Sequence, residues 1–205
     1  DFFISEKNNY PVTELPEYFQ NGYYAFVIGG TYKTKILPPV KIVEVLKRIN
    51  KPVILLGGPD DVERAEEILS AVSGQQSANS YCSQHHNSNS QIQKDSQILN
   101  LVGKINLEQS ASLVKNADSV LTNDTGLMHI AAAFHKNIVS VWGNTVPELG
   151  MYPYLPKEPE KCHIVECKDV KCRPCSKLGF KECPKKHFKC MMNIDVDNVV
   201  LGLKA

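Results

Sequence analysis

Apolar positions along this chain gather into short unbroken runs that alternate with stretches of helical spacing. The runs are Tyr23 to Ile28, Val53 to Leu56, Ile98 to Val102, the pair Val120-Leu121, and Ile138 to Trp142. Their β-branched and aromatic content predicts buried strands. From Pro39 to about Ile49 the residues Val40, Ile42, Val43, Val45, Leu46 and Ile49 fall near helical spacing, with the proline suited to a first turn. Val62 to Val72 keeps Glu63, Glu66 and Glu67 on a wet side, and Leu107 to Asn116 follows Asn106, which is placed to cap it. Leu127 to Phe134 is an alanine-rich helix, and Asp195 to Leu203 predicts a short terminal one. Strand and helix in alternation predict an α/β fold, a Rossmann-like parallel sheet with helices on both faces.

Four stretches break the alternation. Residues 1–22 carry prolines and scattered charges and read as a linker or edge segment. Residues 73–97 are dominated by Gly, Ser, Gln, Asn and His and read as a mobile polar insertion, His85 and His86 beside Cys82 being part of that loop and not a metal site. A proline-punctuated loop follows Trp142, and residues 157–193 hold most of the cysteines. The expected organisation is therefore a nucleotide-binding domain over 23–156, preceded by the 1–22 segment and followed by a cysteine-rich segment and helix over 157–205.

Composition narrows the function. A formal charge of +1 over 205 residues gives no field that would draw nucleic acid, so no nucleic-acid partner is expected. No apolar run approaches the roughly 20 residues that span a bilayer, and DFFISEKNNY lacks the basic start and apolar centre of a signal peptide. The chain does not begin with Met and reads as a segment of a longer or processed protein. Seven cysteines without a secretion signal suggest reduced thiols in a cytoplasmic protein.

In a doubly wound sheet, ligands gather at the carboxyl ends of the strands. Polar corners fall there at Gly30-Thr31 to Lys35, at Gly57 to Asp61, at Asp124 to His129, and at Gly143-Asn144-Thr145. The first offers hydroxyls and a cation. The second offers a carboxylate for ribose hydroxyls. The third opens a helix, whose free N–H groups and partial positive charge suit a phosphate; Asp124 or Thr125 can cap it, and Gly126 allows close approach. Together they describe a site for a nucleotide with a diphosphate, although neither the Walker nor the G-x-G-x-x-G pattern is present. Cys172, Cys175, Cys183 and Cys190 could supply thiolates to a structural zinc, but free thiols fit nearly as well, so no metal ligand is assigned.

The stretch TNDTGLMHIAAAFHKNIVSVWGNT resembles the signature of glycosyltransferase family 9, the lipopolysaccharide heptosyltransferases. GGTYKTKILP is similar to the family's first donor loop and LLGGPDDVERAEEI to its second; KINLEQSASLVKNAD and CRPCSKLGFKECPKKHFKCM also agree in order. The resemblance implies the C-terminal, donor-binding half of a two-domain GT-B enzyme using an ADP-sugar, typically ADP-heptose. It implies that Thr31 and Lys35 meet the diphosphate together with the backbone N–H groups of Thr125 and Gly126. Asp124 would shape the turn, His129 would contact donor phosphate or sugar, and Ile105 would lie beside the adenine. Asp61 falls where the family often has a glutamate toward the ribose. Lys35 would stabilise the leaving diphosphate, while the catalytic base would be an aspartate of a missing N-terminal domain, leaving this segment inactive alone. The implied partners are the ADP-sugar, a lipid-linked saccharide acceptor and that missing domain, at the inner face of the inner membrane, with no cofactor. Two other readings stand beside this one: a binding module without transfer activity, and a zinc-stabilised interaction domain.

Overall fold

The computed structural model describes residues 2–74 and 97–205. His85, His86, Cys82 and nearly all of the 73–97 insertion lie outside the described residues.

Among the described residues six parallel strands form one sheet in the order β3-β2-β1-β4-β5-β6. They are β1 (Tyr24–Val27), β2 (Val53–Leu56), β3 (Ile98–Asn100), β4 (Ser119–Asn123), β5 (Asn137–Trp142) and β6 (Cys162–Glu166). Side chains alternate across the pleat, so each strand feeds two cores. Phe26, Leu55, Leu121 and Val141 face one side; Val27, Ile54, Val120 and Trp142 face the other. All are buried, each contributing about 1.5–3 kcal/mol for an aliphatic or Phe side chain. Unbroken apolar runs are what a sheet covered on both faces requires.

The helices are α1 (Glu17–Gln20), α2 (Pro39–Leu46), α3 (Val62–Ser73), α4 (Leu107–Asn116), α5 (Gly126–Ala133), α6 (Lys189–Met192) and α7 (Val196–Lys204). α2, α3 and α7 cover the Phe26 side through Ile42, Ile68 and Val199, and α4 and α5 cover the Trp142 side through Leu113 and Met128. Local chemistry sets their ends. Pro39 opens α2, and Gly74 closes α3 at φ 73°, in the left-handed region that a glycine tolerates. The Asn106 side chain accepts from Gln109 N–H while the Gln109 side chain accepts from Asn106 N–H, a reciprocal cap on α4.

Two divisions expected from sequence are redrawn. Residues 2–22 form no edge strand and are not a free linker: Leu15 and Phe19 are buried in the core under α4, and Tyr10 N–H donates to Ser112 Oγ at 2.9 Å. Nor does the sheet end at Trp142. β6 extends it, with Val141 paired to Val165, and α7 packs on the same core, so 157–205 is continuous with the domain. Only Val165 of β6 is buried, which is why this edge strand has no apolar run to announce it. Among the described residues no helix is long and apolar enough to cross a membrane.

Candidate functional site

The strand order reverses between β1 and β4, and a cleft of about 570 Å³ opens there at the carboxyl ends of the strands. Its walls are the loops after β1, β2 and β3 and the start of α5. Asn123, the last residue of β4, fixes the first of these loops. Its buried side chain donates to Val27 and Gly29 carbonyls at 3.3 and 3.0 Å and accepts from Leu37 N–H at 3.0 Å. One amide thus holds both ends of the turn that carries Thr31 and Lys35.

Helix α5 begins without a side-chain cap, contrary to the expectation for Asp124 or Thr125. The Thr125 hydroxyl lies 3.3 Å from that of Thr122. The Asp124 carboxylate turns instead to Lys35 Nζ at 2.6 Å and accepts from Thr145 Oγ1 at 3.1 Å. Both members of the Lys35–Asp124 pair are nearly buried, and both line the cleft. The first-turn amides therefore face the cleft with no capping group. A Cβ placed on Gly126 would meet nothing within 4 Å. Nothing in the protein's own packing requires a glycine there, and Gly126 lines the same cleft as the Lys35 ammonium. An uncapped helix N-terminus with a lysine opposite is a receptor for an anion.

Asp61 serves the protein before any ligand. It is 7% exposed, accepts from Gly58 N–H at 2.9 Å and pairs with Arg64, whose guanidinium also reaches the Ile28 carbonyl at 3.5 Å. Its Oδ2 lies 2.0 Å from where a Cβ on Gly29 would stand. Gly29 is thus explained by this carboxylate, which ties the β1 and β2 loops together while still lining the cleft. A carboxylate has about four acceptor sites, so lone pairs remain for a ligand. Ile105, half-buried, lines the cleft with Leu107 and Pro59 and gives it an apolar wall suited to a flat ring. Thr31 lines it from the exposed side. Of the expected site residues, Thr31, Lys35, Asp61, Ile105, Asp124, Thr125 and Gly126 are brought together; His129 is exposed on the first turn of α5 and does not line the cleft.

The cysteine-rich segment proves to be part of the site's frame. Phe180 N–H donates to Thr34 Oγ1 at 2.8 Å and its carbonyl accepts from Thr34 N–H at 3.2 Å, which brings Leu178 to the cleft wall. Arg173 reaches the carbonyls of Gly143, Cys167, Trp142 and Thr145 and pairs with Glu166 at 2.9 Å. Through Thr145 it supports Asp124 and hence Lys35. Arg173 and Leu178 carry no signal of this in sequence, and Asn123 and Thr145 are marked there only as members of polar corners at the strand ends.

The six described cysteines are free thiols. Burial pushes Cys190 up to about 11. Burial also acts to raise Cys183, but the N–H groups of Phe188, Lys185, His187 and Lys186 outweigh it and bring that thiol below its ordinary value. Among the described residues no group of three or more His, Cys, Asp or Glu side chains is arranged to hold a metal ion.

Residues 4–181 match the family model described as glycosyltransferase family 9 (heptosyltransferase). The chain is 31% identical over 125 residues to lipooligosaccharide heptosyltransferase 2 of Haemophilus influenzae, an alignment covering 61% of this chain and 30% of that protein. Its fold is similar to that of the Escherichia coli ADP-heptose lipopolysaccharide heptosyltransferase II, at TM-score 0.67 and 21% identity over 98% of this chain and 51% of the other. It is also similar to TibC, an iron-containing dodecameric heptosyltransferase of enterotoxigenic E. coli solved with ADP-D-β-D-heptose, at TM-score 0.56 and 16% identity, covering 89% and 44%. The chain thus spans about half the length of these structures or less.

Proposed function

The chain belongs to glycosyltransferase family 9, and from that premise we propose that it is the donor-binding half of a heptosyltransferase-type enzyme that takes an ADP-sugar, ADP-heptose above all. The acceptor in this reading is a lipid-linked saccharide of the lipopolysaccharide core, met at the inner face of the inner membrane by a cytoplasmic enzyme. The observation that carries the reading is the uncapped N-terminus of α5 facing the Lys35–Asp124 pair across open space at the switch point.

The donor's diphosphate sits on the first-turn amides of α5, near Gly126 and Thr125, with the Lys35 ammonium and the Thr31 hydroxyl on the opposite side. The adenine lies against Ile105. The ribose hydroxyls bond the remaining acceptor sites of Asp61, and His129 meets the distal phosphate or sugar where the donor emerges. TibC, similar to this chain in fold, was solved in complex with ADP-D-β-D-heptose, which supports an ADP-sugar as the donor class.

Glycosyl transfer breaks the bond between the anomeric carbon and the diphosphate oxygen while the acceptor oxygen bonds the same carbon. Negative charge builds on the departing ADP. The ammonium of Lys35 and the amides of α5 are already aimed at that charge, so they stabilise the transition state without reorganising. Asp124, itself held by Thr145, keeps the ammonium in position. The proton of the acceptor hydroxyl goes to a base of the N-terminal domain, so the segment alone binds donor without transferring it.

Calorimetric titration with ADP tests the reading, and absence of any heat with ADP and ADP-sugars overturns it. Lys35→Met removes one charge-assisted bond and weakens ADP binding by about tenfold or more. It also leaves Asp124 buried without its cation, costing up to about 3–5 kcal/mol of stability. The double variant Lys35→Met/Asp124→Asn recovers most of that stability and none of the affinity. Recovered affinity in the double variant assigns Lys35 a purely structural part.

A further inference from the structure

Charge is unevenly spread over this protein. Residues 168–189 carry seven lysines and Arg173 against Asp169 and Glu182, a net of +6 in a chain whose total is +1, so everything outside this segment is net negative. All seven lysines are exposed. Arg173 and Lys168 are paired with Glu166, but no carboxylate lies within ion-pair distance of Lys171, Lys177, Lys181, Lys185, Lys186 or Lys189 among the described residues. Lys171, Lys185, Lys189 and His187 share the rim of a hollow of about 590 Å³, in which Asp169 is the one carboxylate.

The patch also carries apolar side chains where water would be expected to exclude them. Leu178 is 60% exposed and Phe180 37%. They are not on a loose loop: both backbone groups of Phe180 are bonded to Thr34, and Gly179 lies so close that a Cβ there would stand 2.6 Å from Tyr32. This backbone-anchored segment thus presents two exposed apolar side chains next in sequence to unneutralised ammonium groups, at the lip of the cleft that Leu178 helps to line.

We infer that this lysine-rich face is the surface by which the protein docks on a bilayer rich in anionic phospholipid, with Leu178 and Phe180 reaching into the headgroup layer. Lysine clusters of this size are drawn to anionic leaflets, and exposed apolar side chains add burial at the interface. The inference deepens the reading of a lipid-linked acceptor: docking by this face sets the mouth of the donor cleft against the membrane that holds the acceptor. Its test does not depend on donor binding.

The experiment is sedimentation of the full-length protein with vesicles of phosphatidylcholine alone or with equimolar phosphatidylglycerol. The protein sediments with the anionic vesicles, stays in solution with the neutral ones, and is released by about 0.5 M NaCl, where screening shortens to a few ångströms. The variant Lys177→Glu/Lys181→Glu/Lys185→Glu lowers partition by about tenfold or more. A matched variant, Lys7→Glu/Lys115→Glu/Lys157→Glu, carries the same charge change elsewhere and keeps it. ADP titration of both variants verifies the fold and stays within about twofold of the parent. Equal sedimentation with neutral vesicles, equal loss in the matched variant, or tighter binding to a single-stranded oligonucleotide than to vesicles each overturns the inference. Loss of ADP binding with vesicle binding intact instead counts against the donor site alone.

Discussion

Two glycines of the cleft look alike in sequence and differ in cause. Gly29 is required by a neighbour, because its missing Cβ is the space that Asp61 fills. Gly126 has no such neighbour: it is exposed, lines the cleft, and a Cβ there would stand in open space. Gly126→Ala should therefore leave stability unchanged or raise it by about 0.5–1 kcal/mol, since alanine is the better helix residue, while weakening ADP binding by about tenfold. Thermal unfolding and calorimetry on one sample measure both. Unchanged ADP affinity would move the diphosphate away from α5. The sequence pointed to Gly126, Asp124 and Lys35 because turn chemistry and a helix start are local signals. It did not reveal that Asp124 turns from the helix to bond Lys35 and Thr145, because those partners meet only when the β1, β4 and β5 loops converge. Asp61 was legible as a carboxylate at the right place, but its bonds to Gly58 and Arg64 had to be seen.

At the level of elements, those with caps and continuous apolar runs were readable, and those stabilised by contact alone were not. β1, β2, β4 and β5 occur where the runs predicted them, and Asn106 and Asp195 cap α4 and α7. β3 is shorter than expected: it ends at Asn100, whose side chain accepts from Val102 N–H, although Leu101 N–H still donates to the Leu55 carbonyl. The first residues look unstructured in sequence because their anchors, Glu108 and Ser112 among them, lie about a hundred residues further along the chain. Glu108 on α4 accepts from Ser5 Oγ, from Asn8 Nδ2 at 3.0 Å and from Ser5 N–H at 3.0 Å. The Ser5 hydroxyl, then Asn8 and the Ser5 amide, lower its pKa from 4.5 to about 2. A carboxylate depressed in the fold stabilises it fully above its unfolded value and ceases to do so as pH falls through the folded one. The part that Glu108 plays in holding residues 5–8 to α4 is thus complete above about pH 4.5 and is lost as pH falls below about 2. Across that window the parent should lose stability more steeply than Glu108→Gln, whose amide does not titrate. Parallel denaturation curves for the two proteins would show that the contact contributes nothing.

The described molecule is built on one sheet, and its last quarter, residues 157–205, reads in sequence as a separate segment; Arg173 explains why it is not. Its side chain is 5% exposed and lies against Glu166 at 8%, so both charges are held out of water and each depends on the other. The guanidinium also reaches carbonyls on β5, on the loop after it and on the turn after β6, and one of these belongs to Thr145 beneath the Lys35–Asp124 pair. A planar fork with five donors can serve that many acceptors; a lysine ammonium has three and no fixed geometry. Arg173→Lys keeps the charge but strands part of the acceptor set, and should cost about 1–3 kcal/mol. Arg173→Ala also leaves the buried Glu166 with only the exposed Lys168, 3.6 Å away, and should cost about 3–5 kcal/mol. If the cysteine-rich segment frames the donor site through Thr145, the lysine variant should weaken ADP binding by about tenfold although Arg173 lines no part of the cleft. Urea denaturation and ADP titration separate the two effects: a destabilised variant with undiminished ADP affinity would make this arginine a brace for β6 alone. A loss of affinity that is reversed neither by cooling nor by excess ligand would show that the end of the chain and the helix at Gly126 act as one site.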